Sequence, residues 1–231
     1  MPAMFQLRHE IDRPMGASAI CFSATASFTA GAALLAIGAV TVRRAATSTE
    51  LPFALIPVIF GVQQLVEGGL WLGLLAGGAT THGLTVAYLL IANVIWPIFV
   101  PIAVALIEPF GSPRWKILLP VIAGVATGLF YLIALVSHPV WAEIMGAHVK
   151  YHFPHGYRTL AFAGYFIATC LAPLMSSHRM VRIFGAVLIG SSIVARLIYE
   201  TWFASVWCYF AALASCIVYL QFATRRQVAT H

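Results

Sequence analysis

Charged side chains are scarce in this sequence. Only 9% of its 231 residues are Asp, Glu, Lys or Arg, against about 25% in an ordinary soluble domain, and 61% are hydrophobic. With 13 basic and 7 acidic residues, the chain has too little charge to solvate a surface of its size. A soluble globule is therefore excluded, and the composition predicts an integral membrane protein whose main partner is the lipid bilayer.

We expect no cleavable signal peptide, because the first twenty residues are polar and contain no uninterrupted apolar core. The apolar runs that follow predict an all-α fold, an integral membrane bundle of seven transmembrane helices, at about 21–42, 51–76, 83–109, 117–137, 159–176, 180–200 and 203–223. We assign three regions: a polar N-terminal tail at 1–20, the seven-helix transmembrane domain at 21–223, and a basic cytoplasmic tail at 224–231.

Basic residues occur in pairs between the apolar runs, where they act as topological signals and do not indicate a nucleic-acid partner. In a seven-span arrangement, four of them fall on one side: Arg8, Arg13, Lys150 and Arg158. Eight fall on the other: Arg43, Arg44, Arg114, Lys116, Arg179, Arg182, Arg225 and Arg226. The excess predicts a cytoplasmic C-terminus, an N-terminus and a 138–158 loop outside, and insertion in a bacterial inner (cytoplasmic) membrane.

Small residues recur at helical spacing on several runs, as with Gly31 on the first, Gly61 on the second, and Gly124 and Gly128 on the fourth. Small faces let helix backbones approach closely, which drives association where apolar burial cannot. We predict that these glycines lie at helix packing faces.

Polar residues inside the runs are few, and such residues tend to be functional because they are costly to insert into lipid. A rise of about 1.5 Å per residue places them in the outer half of the bilayer, so we predict one pocket open to the outer side. Its candidate ligand-binding residues are Gln63, Gln64, Glu67, Asn93, Arg196 and Glu200. Two alternatives remain: a buried ion pair of Arg196 with Glu67, Glu200 or both that fixes helix register, and simple hydrogen bonds between helices.

Cysteine and histidine residues raise the question of a metal. Cys21, Glu67, His155 and Cys208 combine similar depth with ligands that suit zinc or copper, and His148 and His152 form a weaker pair that would share a face if their stretch is helical. The alternatives are a disulfide between Cys21 and Cys208, or free thiols that pack as small apolar groups. Haem is not expected, because no pair of histidines lies within the runs.

Several phrases resemble a family of small bacterial seven-span membrane proteins that is uncharacterised. They include Cys21-Phe-Ser-Ala-Thr-Ala, Gln64-Leu-Val-Glu67, Pro154-His155-Gly156 and Phe203-Ala-Ser-Val-Trp207-Cys208, and the similarity covers residue 21 to about 223. The resemblance supplies no activity. It directs attention to Cys21, Glu67, His155 and Cys208.

Three classes of function fit these features. A membrane protein that binds or senses a small molecule in the outer polar pocket requires only the clustered polar groups. A metal-dependent membrane hydrolase or other metalloenzyme additionally requires at least three ligands, and no catalytic residue is assigned for it. A structural subunit of a membrane assembly is the third class.

Overall fold

The computed structural model describes residues 23–78, 81–109, 111–112, 115–146, 148–154, 158–198 and 203–228, apart from the side chains of residues 158, 196, 198, 203–205 and 224–228. Cys21, His155 and Glu200 lie outside the described residues, as does the side chain of Arg196. The described chain is mostly helical.

In the described residues the helices group into seven consecutive segments, with a β-hairpin between the fourth and the fifth. The first three comprise α1 (Ala24–Val42), α2 with α3 (Leu51–Ala54, Ile56–Leu75), and α4 with α5 (Thr81–Leu89, Trp96–Ile107) joined by the π-helix Leu90–Ile95. The fourth is α6 (Trp115–Ser137), and the fifth joins α7 (Arg158–Phe166) to α8 (Ala172–Leu174) through the π-helix Ile167–Leu171. The sixth is α9 (Arg179–Ile198), and the seventh comprises α10 (Phe203–Ala214) and α11 (Cys216–Val228).

Within the described residues, five helices are long and apolar enough to cross a membrane: Ala24–Val42, Leu51–Leu75, Thr81–Ile107, Trp115–Ser137 and Val206–Ala223. Thr159–Leu174 is a shorter apolar helix. These lengths indicate a membrane protein, as the composition predicts.

The all-α prediction needs one correction, because the loop after the fourth segment contains two strands. β1 (Trp141–Met145) pairs antiparallel with β2 (His148–His152) around Gly146, whose φ of 63° is one that glycine adopts without strain. The histidines at 148 and 152 therefore lie on a strand. They still share a face, because residues four apart point the same way in a strand as well as in a helix.

Prolines explain the irregular backbone of three segments. A proline has no N–H to donate to the carbonyl four residues earlier, so the α-helical ladder breaks or widens before it. Pro57 follows the turn at Leu55, Pro97 follows the first π-helix, and Pro173 follows the second. These three segments are thus helical but not uniformly α-helical.

The predicted packing glycines do lie between helices. A Cβ on Gly61 would stand 3.1 Å from the carbonyl oxygen of Gly31, and one on Gly124 would overlap the carbonyl oxygen of Pro97. A Cβ on Gly128 would meet Ile98 on the same neighbouring helix. The close approach of the first segment to the second, and of the third to the fourth, depends on these positions.

Successive segments run in opposite directions and give the bundle two distinct ends. At the hairpin end, the β1–β2 hairpin covers the start of α1 and the C-terminal half of α3, where Val149 packs with Ala24, Leu70 and Trp71. At the basic end, Glu108 meets Ser176 and Ser177, and Arg43, Arg44, Lys116, Arg179 and Arg182 lie in or beside the connecting turns.

Candidate functional site

The three polar residues of the second segment lie inside the bundle near its hairpin end. Gln63 and Gln64 are completely buried, and Glu67 is 3% exposed. The helix places Gln64 and Glu67 one turn apart, so that Gln64 Nε2 donates to Glu67 Oε2 at 3.5 Å. The carboxyl group is therefore held partly by its own helix.

The third segment contributes Trp96, whose indole Nε1 donates to Gln63 Oε1 at 2.6 Å. The Trp96 ring also stacks on Phe60 with 3.9 Å between ring centroids. Since Phe60 and Gln63 lie on successive turns of α3, the tryptophan is fixed by both a hydrogen bond and a ring contact. These two contacts join the second and third segments about one helical turn from Glu67.

The hairpin reaches into the bundle through Tyr151. Its hydroxyl donates to Glu67 Oε1 at 3.3 Å, and its ring stacks on Tyr88 at 4.4 Å with 4° between the planes. Burial, followed by the neighbouring Glu67, raises the pKa of Tyr151 well above its usual value, so the phenol keeps its proton and remains a donor. The hairpin is thus tied to the bundle by a buried polar contact.

Three buried polar atoms in this group make no hydrogen bond of good geometry among the described residues: Gln63 Nε2, Gln64 Oε1 and Tyr88 Oη. The Cys208 thiol interacts with both Tyr88 and Gln63 and lies within electrostatic range of Glu67, but a thiol is a weak partner. We call these six residues the Glu67 cluster: Gln63, Gln64, Glu67, Tyr88, Tyr151 and Cys208. Burying a polar atom without a hydrogen-bond partner costs free energy, and a further group that bonded these three atoms would remove that cost.

An apolar cavity adjoins the Glu67 cluster at the centre of the bundle. Cys208 belongs to the cluster and also lines the cavity, and Trp96, which donates to Gln63, lines it too. Phe60, Tyr165, Phe184 and Trp207 form the rest of its aromatic wall. The cavity offers about 20 Å³ to the centre of a water-sized sphere, which is room for about one water molecule. A larger occupant therefore requires the surrounding side chains to move.

The π-helix of the third segment is linked to this cavity through Tyr165, which lines it. Tyr165 Oη, from the fifth segment, donates to the Ala92 carbonyl oxygen at 2.8 Å. Irregular helix is tolerated in a membrane segment when another group satisfies the backbone atoms it frees. Asn93, a predicted site residue in the same π-helix, is half-buried and directs its amide to the Leu89 carbonyl at 3.3 Å.

The weaker histidine pair lies on the hairpin. His152 Nε2 is 2.7 Å from Glu143 Oε1, and its ring stacks on Trp141 at 4.6 Å. His148 is 8% exposed, and burial lowers its pKa, which favours the neutral imidazole. His152 is occupied by Glu143, a carboxylate of its own hairpin.

For the four predicted metal ligands, the structure describes Glu67 and Cys208, which it brings into one cluster. Cys208 is a free thiol, and its proposed disulfide partner Cys21 lies outside the described residues, as does His155. Among the residues that are described, no three His, Cys, Asp or Glu side chains are grouped closely enough to hold a metal ion. The four-ligand set thus remains a prediction.

Sequence reasoning did not identify Tyr88 or Tyr151 as members of this site. Tyr88 is one of several aromatic residues in an apolar run, and nothing in its spacing distinguishes it. Tyr151 carries a usable signal, because Val149 and Tyr151 alternate with His148, Lys150 and His152 as the two faces of a half-buried strand do.

A second buried carboxylate lies at the opposite end of the bundle. Glu108 follows α5, and both Ser177 N and Ser177 Oγ donate to Glu108 Oε2, at 3.1 and 2.6 Å, while Ser176 Oγ donates to Oε1. Burial raises the pKa of Glu108, but the hydrogen bonds from Ser176 and Ser177 outweigh it, so the pKa lies below its ordinary 4.5. These hydrogen bonds join the third segment to the turn before α9. In the Glu67 cluster, by contrast, three buried polar atoms make no hydrogen bond of good geometry among the described residues.

Comparisons with known proteins identify a family for this chain but no activity. No curated protein and no solved structure matches this chain. The profile of one protein family matches residues 20–231, which includes every residue of the Glu67 cluster. The chain therefore belongs to DUF6629, a family of unknown function.

Proposed function

We propose that this protein binds or senses a small polar molecule at the Glu67 cluster, in the outer half of a bacterial cytoplasmic membrane. In this proposal the chain crosses the membrane seven times, with the N-terminus and the hairpin outside and the C-terminus inside. The excess of Lys and Arg at the basic end supports that orientation. The Glu67 cluster then lies beneath a hairpin that faces the extracytoplasmic side.

One observation carries the proposal: Gln63 Nε2, Gln64 Oε1 and Tyr88 Oη are buried around one carboxyl group without good partners. A ligand that offers both donors and acceptors would satisfy them and recover the cost of their burial. The adjoining aromatic cavity supports a ligand with an apolar part next to its polar group. Access requires the hairpin to lift, because Tyr151 covers Tyr88.

Replacing Tyr88 by Phe tests this proposal. Among the described residues the Cys208 thiol and the Tyr151 hydroxyl lie near the Tyr88 hydroxyl, but neither of them makes a hydrogen bond of good geometry with it. If the hydroxyl contacts a ligand, native mass spectrometry of protein released into mild detergent should show a one-to-one bound small molecule in the wild type, and the Tyr88→Phe variant should lose it. Glu108→Gln is the matched control, since it alters a buried carboxylate at the other end, and it should retain the ligand.

The thermal stability of the stripped protein separates this proposal from a purely structural role. Removing an unsatisfied buried hydroxyl should leave the melting temperature unchanged or raise it. A Tyr88→Phe variant that melts lower than the wild type, with no bound molecule in either protein, would contradict the proposal.

A metal-dependent reaction is the second candidate, and the presence of Glu67 and Cys208 in one cluster favours it. Zinc or copper would take a carboxylate and a thiolate as ligands, with Cys21 and His155 as the remaining two. Elemental analysis of protein purified without chelator should then find one metal ion per chain, and the Cys208→Ser variant should lose it. A metal-free wild type would rule out this candidate.

A further inference from the structure

A groove runs along the outside of the bundle between the first and the last segments. It is lined by Ala36, Ile37 and Val40 of α1 and by Cys216 and Tyr219 of α11, with a volume of about 420 Å³. The break at Ser215 lies beside it, where the last segment changes from α10 to α11. Ala36 and Val40 are exposed, so this apolar groove faces lipid and not the protein core.

A positive charge stands at the basic end of the groove. The guanidinium of Arg44 lies 4.7 Å above the centre of the Tyr219 ring, within the range of a cation–π interaction. Ala36 and Val40 lie one turn apart on α1, and Arg44 follows in the turn just past the end of that helix, where it lies over Tyr219 of the same groove. A guanidinium held over a ring keeps N–H groups that can donate in parallel to two phosphate oxygens.

We propose that this groove binds one phospholipid with an anionic head group. The phosphate contacts Arg44, and an acyl chain follows Ala36, Ile37, Val40 and Cys216 toward the middle of the bilayer. A free phosphate ion does not account for the apolar part of the site, whereas a lipid supplies both parts. The position of Arg44 at the end of a membrane-spanning helix is the depth at which lipid head groups lie.

Lipid retention tests this proposal. The protein is reconstituted in nanodiscs with equal amounts of phosphatidylglycerol and phosphatidylcholine, transferred to mild detergent, and examined by native mass spectrometry. The wild type should retain one phosphatidylglycerol, with a preference over phosphatidylcholine of about fivefold for a single well-placed Arg. Inorganic phosphate added at millimolar concentration should not displace it.

Two variants test the head-group contact and the acyl-chain groove independently. Arg44→Gln should abolish the preference for phosphatidylglycerol, and Ala36→Phe should reduce retention of both lipids because the ring fills the groove at an exposed position. Lys116→Gln, which removes a charge from the same end of the bundle, is the control and should retain the wild-type pattern. Thermal melting of each variant in detergent verifies that it is folded.

Three results would overturn the proposal. Equal retention of the two lipids by the wild type would show that Arg44 does not select the head group. Full retention by Ala36→Phe would show that the acyl chain lies elsewhere. An equal loss of preference in Lys116→Gln and Arg44→Gln would reduce the effect to the general charge of the basic end.

Discussion

Gln63 and Gln64 are neighbours in sequence but have different partners. Gln63 accepts a hydrogen bond from Trp96 on another helix, while Gln64 donates to Glu67 on its own. Each amide keeps one atom without a good partner, Nε2 in the first case and Oε1 in the second. The cluster therefore presents a donor and an acceptor side by side, a combination that suits a ligand with an amide or hydroxyl group.

The Gln63–Trp96 bond predicts a specific pattern of stabilities. Trp96→Phe should lower the free energy of unfolding by about 1–3 kcal/mol, because Gln63 Oε1 is left buried without a donor. In a Gln63→Met background the same change should cost less, because the orphaned acceptor is gone. Thermal or denaturant unfolding in detergent measures all four proteins of this double-mutant cycle. Strictly additive losses would show that the bond contributes nothing to stability.

Glu108 predicts a pH dependence at the other end of the bundle. Because its pKa in the folded protein lies below the ordinary 4.5, the ionised carboxylate stabilises the fold above that pH, and the contribution is lost as the pH falls through the folded-state value. The stability difference between the wild type and Glu108→Gln should thus be largest near neutral pH and shrink below pH 4.5.

At the scale of elements, the seven helical segments could be predicted because apolar run length is a direct consequence of membrane thickness. The two π-helices could not, because their extent depends on how Pro97 and Pro173 are accommodated by neighbours such as Tyr165. The hairpin was missed for a different reason. Residues 148 and 152 share a face in either conformation, so the histidine spacing does not distinguish a strand from a helix.

Only part of the candidate site could be predicted from the sequence. Depth along a helix follows from residue number, which placed Gln63, Gln64 and Glu67 together near one end. Their partners Tyr88 and Tyr151 come from other elements, and the contact between Tyr151 and Glu67 joins residues 84 positions apart. No local pattern in the sequence encodes that pairing.

Helix packing gives a prediction that compares two glycines. Gly124→Ala should destabilise the protein by about 1–3 kcal/mol or more, because the added methyl group overlaps the Pro97 carbonyl oxygen of the facing helix. Gly190→Ala, on α9, meets nothing within 4 Å and should be neutral or stabilise by up to about 1 kcal/mol. Melting temperatures in the same detergent test the pair. Equal losses at the two positions would contradict the packing assignment.

For the whole molecule, the two ends of the bundle predict opposite reporter signals. Fusions after Ser48 and after His231 should give cytoplasmic activity, because both points follow segments that end at the basic end. A fusion after Ala147, between the fourth and fifth segments, should give periplasmic activity. Alkaline phosphatase and green fluorescent protein report the two compartments in complementary ways. A cytoplasmic signal from the hairpin fusion would reverse the orientation and place the Glu67 cluster in the inner half of the membrane.

The contact between Tyr151 and Glu67 also has a consequence for biosynthesis. A ribosome adds about 5–20 residues per second, so the 84 residues that separate the two take about 4 to 17 s to synthesise. During that interval Glu67 lacks the tyrosine that later donates to it. Gln64, one turn away on the same helix, emerges with it and supplies a hydrogen bond from the outset. The Gln-x-x-Glu sequence thus gives the new helix its own hydrogen bond to the carboxyl group before Tyr151 is synthesised.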